Sequence, residues 1–317
     1  MMAANGKKIW MDGRLVDFAD AHVHVLNHTL HYGVGVFEGI RAYPTAHGGA
    51  VFRLKEHVQR LITSAKFYFM PIPFSAAEIE RAILETQAAN GILPSYIRPI
   101  VYRSEPALGV KNLKGKVSLA IAAIPAKQYL GDGSDKGVRA KISPFRKPHS
   151  DANPSFAKAS GNYINSYLAG VDAMNDGYEE AILLDVQGFV AEGTGENVFL
   201  VRNGTVYTPG LESDILLGIT RDSVIRIAKD LGYLVSEKAL SVNELLSADE
   251  AFFTGTYAEI APIKEIGHYS IGARTPGPIT REIMSVYRRA IRGEEPKYLE
   301  WLSFVPTLAS AAPRPGA

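Results

Sequence analysis

The sequence has no cysteine among its 317 residues, which excludes a disulfide framework, a thiol nucleophile and a zinc–thiolate site. It has almost no net charge either, since 34 Lys and Arg against 33 Asp and Glu leave a formal +1. A balance of that kind offers no electrostatic footprint for nucleic acid or for an anionic membrane surface. No run of about 18 apolar residues occurs, so no membrane span is expected. The start, Met1-Met2-Ala3-Ala4-Asn5-Gly6-Lys7-Lys8, lacks the apolar centre of a signal peptide, and the cytoplasm is the expected compartment. No fixed-period repeat is present. What is there, 46% hydrophobic residues over this length, supplies core for two domains or one large one.

Local signals divide the chain. Asp12-Gly13 between Ile9-Trp10 and Leu15-Val16 predicts a hairpin turn, and Asn203-Gly204 predicts another. A helix is expected over 55–67, with Val58, Leu61, Ile62 and Ala65 on its inner face. A second is expected over 76–90, opened by a Ser75/Glu78 capping box and ended by Gly91. Residues 95–103 and 117–124 read as strands. The segment 125–137, with Gly131, Gly133 and Gly137, is the linker candidate. Beyond it a strand over 138–143, a loop to Ser160 and a helix over 161–175 are expected. That helix has Ile164, Tyr167, Leu168, Val171 and Met174 at helical spacing, with Tyr167 and Leu168 read as core. Strands at 181–185, 189–191 and 197–202, and a closing helix over 278–291, complete the pattern. The Pro- and Ala-rich tail over 306–317 is expected to be disordered. Mixed hairpins and helices without βαβα alternation argue against a doubly wound sheet.

Two residues have contexts that point to chemistry. Lys158 lies in Phe156-Ala157-Lys158-Ala159-Ser160-Gly161-Asn162-Tyr163, flanked by small residues and without an ion-pair partner in its own segment. That setting suits an amine that must lose its proton and form an imine. Glu192 lies in Ala191-Glu192-Gly193-Thr194-Gly195-Glu196-Asn197, a setting that suits a carboxylate meeting one ring nitrogen. A phosphate cradle is offered by Leu216-Leu217-Gly218-Ile219-Thr220-Arg221-Asp222, a glycine turn running into a helix. Thr220 is its N-cap candidate, Val224, Ala228 and Leu231 form its apolar stripe, and Gly232 is its stop. Phe253-Thr254-Gly255-Thr256-Tyr257-Ala258-Glu259 adds a hydroxyl and a tight turn. Amine, acid and cradle together are what pyridoxal phosphate requires. Taken singly, each has an ordinary reading as well: a solvated lysine, a strand-end carboxylate, a core tyrosine.

In this order and spacing the segments resemble a class IV aminotransferase of the branched-chain amino acid aminotransferase family. Further matching segments are His31-Tyr32-Gly33, Val36-Phe37-Glu38-Gly39-Ile40-Arg41, Glu56-His57 with Gln59-Arg60-Leu61, Tyr96-Ile97-Arg98-Pro99 and Leu108-Gly109-Val110. The resemblance covers about residues 9–287. It implies an α/β fold of α+β type in two domains with the cofactor site between them. The N-terminal domain would span 1–124, the interdomain loop 125–137 and the larger cofactor-binding domain 138–305. It implies pyridoxal 5′-phosphate as cofactor, with Lys158 as the Schiff-base lysine and proton carrier, Glu192 on the pyridine nitrogen and Tyr163 on the phenolate. Arg60, Gly255, Thr256 and the turn of Leu216, Gly218, Ile219 and Thr220 would hold the rest of the cofactor. The substrate pocket would use Tyr32, Phe37, Gly39, Val110 and Tyr129, with Tyr32 and Val110 from a neighbouring subunit. Tyr96 and the amides of Thr256 and Tyr257 would take the α-carboxylate, and Arg98 the distal carboxylate of glutamate. The implied reaction is reversible, ping-pong transfer between L-leucine, L-isoleucine or L-valine and 2-oxoglutarate, in a homodimer or trimer of dimers. Tyr257 stands where the family often has alanine, Leu217 where it often has proline, and Ala126 where an aromatic sometimes occurs.

Four other activities compete. A D-amino-acid aminotransferase or an aminodeoxychorismate lyase would share Lys158, Glu192 and the phosphate turn but differ at Tyr96-Ile97-Arg98-Pro99 and Leu108-Gly109-Val110, and an (R)-amine transaminase would dispense with the Tyr96 and Arg98 pattern. A metal-dependent hydrolase would draw on Asp20-Ala21-His22-Val23-His24-Val25 with His28 and His31. That reading lacks later ligands in strand-end motifs, so no metal site is expected.

Overall fold

The structure is a computed structural model describing residues 7–111, 113–126 and 136–306. Tyr129, most of the expected linker and the tail beyond Pro306 lie outside the described residues. The described residues form two compact units, one from 7–126, 159–161 and 290–306, the other from 136–158 and 162–289.

The first unit begins with the hairpin β1 (Lys8–Met11) and β2 (Arg14–Asp17). Asp12 and Gly13 take φ of 45° and 101°, the left-handed pair that a two-residue turn demands. Next come α1 (His28–Tyr32), β3 (Gly35–Phe37), β4 (Ile40–Thr45) and β5 (Gly48–Phe52). Two helices follow, α2 (Leu54–Phe67) and α3 (Ala76–Asn90), then β6 (Ser95–Arg103) and β7 (Val117–Pro125). The eight-stranded sheet runs Leu302–Phe304, β5, β4, β6, β7, β1, β2, with β3 also pairing β6, and all its pairs are antiparallel. Val58, Leu61 and Ala65 of α2 and Ile79 and Ile83 of α3 are buried in its core. The expected capping box is formed at Ser75 and Glu78, and Gly91 closes α3 at φ 62°.

The second unit contains β8 (Val138–Arg146), α4 (Tyr163–Asn175), β9 (Glu180–Leu184), β10 (Val190–Gly193), β11 (Asn197–Arg202) and β12 (Thr205–Thr208). They are followed by α5 (Ile219–Asp230), β13 (Val235–Glu237), α6 (Val242–Leu246), β14 (Glu250–Gly255), β15 (Glu259–Ile266), β16 (Tyr269–Ser270) and α7 (Pro278–Ile291). Strands β10, β9, β8, β15, β14 and β11 follow one another, and β10 pairs back onto β11, so the path closes into a ring. Among the described residues, closure leaves outer strands only where β12 and β13 continue from β11 and β16 pairs with β15. It also places the residue pair Glu192↔Asn197 where the ring joins.

Two local expectations are corrected. Tyr167 is 69% exposed and Leu168 is also exposed, so neither is core. α4 packs through its small face, Ala169 and Ala173, against Ala181 and Leu183 of β9. Close approach of helix to sheet selects alanine there and turns the large side chains outward. The N-cap of α5 is Gly218 rather than Thr220, which lies inside the first turn and is buried. Strands β3 and β5 are too short and glycine-rich for alternation to announce them.

Candidate active site

Within the ring, Glu192 is buried and held from two sides. Its Oε2 accepts from the backbone amide of Leu216 at 2.9 Å and from Asn197 Nδ2 at 3.2 Å, and its Oε1 accepts from Lys147 Nζ. Asn197 Nδ2 also donates to the Leu216 carbonyl at 2.9 Å, tying the strand junction to the turn that leads into α5. Gly218 is required by this fit, because a Cβ there would stand 1.9 Å from Asn197 Oδ1. No side chain caps α5 at its start, which leaves the amides of Ile219 and Thr220 at the positive end of a twelve-residue helix. Such an end favours an anion through its N–H groups and dipole. Thr256 and Tyr257 sit in the short loop joining β14, which ends at Gly255, to β15.

Lys158 is half-buried between Ala157 and Ala159, both of them buried. Its Nζ donates to Tyr163 Oη at 2.5 Å, at the first residue of α4. The lysine also acts electrostatically on Glu196, in the turn between Glu192 and Asn197. Lys158, Tyr163 and the Glu192 turn thus belong to one neighbourhood of the second unit.

In the first unit Arg60, on α2, is committed to Glu38. Its Nε meets Oε1 at 2.6 Å and its second terminal nitrogen donates to Oε2 at 2.8 Å, while His57 Nδ1 lies 2.7 Å from Oε2. Burial alone would push this carboxyl up. The Arg60 guanidinium and His57 outweigh it and hold Glu38 well below the usual carboxylate range. Glu38 and His57 were present in the quoted motifs, but nothing in sequence spacing showed that they organise Arg60. Tyr96 and Arg98 leave β6 on one face, and Arg98 donates to Tyr96 Oη at 2.7 Å. The guanidinium carbon stands 4.5 Å from the Phe37 ring centroid, and a Cβ on Gly39 would come within 2.1 Å of Tyr96 Oη. Phe37, Gly39, Tyr96 and Arg98 therefore converge. Tyr32 Oη accepts from the amide of Gly109 at 2.9 Å, next to the exposed Val110.

Three histidines of the hydrolase reading, His24, His28 and His31, are used otherwise. His28 Nε2 bonds the Gly109 carbonyl, His31 Nε2 the Val25 carbonyl, and His24 Nδ1 accepts from the amide of Leu26. Among the described residues no group of three or more His, Asp or Glu is placed to hold a metal. Among the same residues no helix is long and apolar enough to cross a membrane.

A buried acid over a glycine-led helix start, with a lysine–tyrosine pair in the same unit, agrees with the family assignment made on independent grounds. The profile of the amino-transferase class IV family matches residues 35–266, and the chain belongs to that family. A curated relative from Pseudomonas aeruginosa, a branched-chain-amino-acid aminotransferase, is 41% identical over 96% of this chain and 99% of its own length. The solved branched-chain aminotransferase from Thermoproteus uzoniensis, with norvaline, is 48% identical with TM-score 0.91, covering 95% of this chain and 100% of its own. The branched-chain amino acid aminotransferase from Thermobaculum terrenum, solved in its PLP form, is 36% identical with TM-score 0.87, covering 96% and 99%. Within class IV the chain is thus a branched-chain-amino-acid aminotransferase by family, a pyridoxal-phosphate enzyme with the mixed α/β fold of its relatives.

Proposed function

We propose that the enzyme moves the amino group reversibly between L-leucine, L-isoleucine or L-valine and 2-oxoglutarate in a ping-pong cycle. When bound, pyridoxal phosphate supplies an aldehyde for the amino group and a protonated ring that withdraws electrons from the substrate Cα. The observation that carries the reading is the Lys158–Tyr163 pair in the unit where Glu192 is fixed by Leu216 and Asn197. Lys158 would hold the cofactor through its amine and, once the substrate's amino group has displaced it, would move the proton at Cα. Glu192 holds the ring nitrogen protonated, with its orientation set by the Leu216 amide and the side chains of Asn197 and Lys147. Tyr163 donates to the ring oxygen and positions Lys158 Nζ. The amides of Ile219 and Thr220, with Thr256 and Arg60, take the phosphate. Arg98 meets the distal carboxylate of glutamate, and Tyr96 with the Thr256 and Tyr257 amides takes the α-carboxylate. Phe37 offers an apolar wall to aliphatic side chains.

The same reading makes a homodimer, or a trimer of dimers, the working form in the cytoplasm. It is supported by exposed apolar side chains in both units, Leu30, Leu108 and Val110 in one, Ile164, Tyr167 and Met174 in the other. A panel of L- and D-amino acids and amines with 2-oxoglutarate tests the activity. Turnover confined to branched-chain L-amino acids is expected, and preference for D-amino acids or amines overturns the reading. Lys158→Ala is expected to keep pyridoxal phosphate non-covalently, resist borohydride trapping and lose at least about 10³-fold in turnover.

A further inference from the structure

Glu180 and Glu196 are two acids to which the proposed reaction gives no part, both more than nine-tenths buried and both in the second unit. Their surroundings are built for carboxyl oxygens. Glu180 Oε1 accepts from the amides of Ala181 at 2.8 Å and Thr194 at 3.3 Å, and Glu196 Oε2 accepts from the amide of Gly195 at 3.0 Å. The two carboxyls accept from consecutive amides, Thr194 and Gly195, which brings them close enough to act on each other, and burial first and then the neighbouring acid push Glu196 up. Two buried acids this close cannot both be ionised without repulsion, and a neutral acid beside a carboxylate has a proton to donate where a second carboxylate has none. Room for the pair comes from glycine. A Cβ on Gly193 would stand 3.0 Å from Glu196 Oε2, and one on Gly255 would stand 3.3 Å from Glu196 Cγ. The turn is locked further by the Gly193 amide on the Glu196 carbonyl at 2.7 Å. Its two ends are Glu192 and Asn197.

We propose that Glu180 and Glu196 share one proton and are positioning residues, holding the turn that aims Glu192 at the ring nitrogen of the cofactor. The pair bridges the start of β9 to the β10–β11 turn, so it fixes the tip of the hairpin to the ring behind it. The groups that act on Glu196 electrostatically are Glu180 from β9 and Lys158 from the loop before α4. A shared proton leaves the pair with one negative charge facing that lysine, where two charges would repel within the core. The proposal rests on the role given to Glu192 above.

The test uses the holoenzyme and three variants, Glu196→Gln, Glu180→Gln and Glu196→Ala. Infrared spectra near neutral pH, where exposed carboxyls are ionised, are expected to show the carbonyl stretch of a protonated acid in the wild type. Glu196→Gln, which replaces the neutral acid with a neutral donor, is expected to remove that band and to bind pyridoxal phosphate within about twofold of wild type. Glu196→Ala, which leaves Glu180 buried beside an empty space, is expected to bind it on the order of tenfold more weakly. Absence of the band, its survival in both glutamine variants, or wild-type affinity in Glu196→Ala overturns the proposal. Should Glu196→Ala not fold, the band and the affinities of the two glutamine variants decide. A wild type that binds the cofactor and shows the band, yet does not use branched-chain amino acids, would sink the proposed reaction and leave this pair standing.

Discussion

Glu38 in the first unit and Glu196 in the second are the same amino acid, both withdrawn from water, and their surroundings push them in opposite directions. Glu38 faces a guanidinium and an imidazole and is held far below the ordinary carboxylate value of 4.5. Glu196, pushed up by burial first and then by the charge of Glu180, lies well above it. Burial is common to both and therefore cannot decide the outcome; the neighbours do. The first carboxylate organises a cation, Arg60, the one proposed above for the phosphate. The second holds a proton and organises a turn.

The largest effect that would break this comparison is the loss of Glu38. Glu38→Ala leaves Arg60 and His57 beside an uncompensated cavity and is expected to cost about 3–5 kcal/mol in urea unfolding. An unchanged midpoint would show that the ion pair does not stabilise this unit. Two glycines sharpen the contrast next. Gly218→Ala forces Asn197 off Glu192 and Leu216, and Gly39→Ala forces Tyr96 off Arg98, because each new Cβ meets the far end of a side chain. Each is expected to cost on the order of tenfold, in cofactor affinity for the first and in substrate KM for the second. The opposite split would reverse the roles given to the two units.

Stability against pH provides a third, gentler break. Glu38 has a depressed folded value, so its contribution is present above the ordinary 4.5 and is lost as pH falls toward the folded value. Glu196 has a raised one, so its contribution is present below 4.5 and is lost as pH rises through the folded value. Thermal midpoints of Glu38→Gln should therefore lose the acid-side decline, and those of Glu196→Gln the decline on the alkaline side. Identical slopes in wild type and both variants would contradict the assignment. The smallest effect is expected on the outer face of α4. Tyr167→Ser should change unfolding of the dissociated chain by no more than about 0.5 kcal/mol, while weakening self-association in sedimentation.

Much of the scaffold was legible because it is local. The Asp12-Gly13 turn, the Ser75/Glu78 capping box and the stop at Gly91 each depend on a few adjacent residues, and each forms as read. The α4 face was misread because Ile164, Tyr167, Leu168 and Met174 keep helical spacing whichever side meets the sheet. Only the neighbours of Ala169 and Ala173 settle that question. Gly193, next to Glu192 in the chain, makes space for Glu196. No pattern in one strand announces a carboxyl supplied by Glu180, sixteen residues before Glu196.

The linear chain by itself determined the chemical parts and their order: one lysine among small residues, an acid in a glycine-rich turn, a helix entered through Gly218. These survive as motifs because each needs particular atoms at particular covalent separations. Which acids are charged, which helix face is covered and which glycines yield space were decided only on folding. Those properties come from groups far apart along the backbone, such as Glu38 with Arg60 or Glu180 with Glu196, and through-space electrostatics and packing have no counterpart in local sequence.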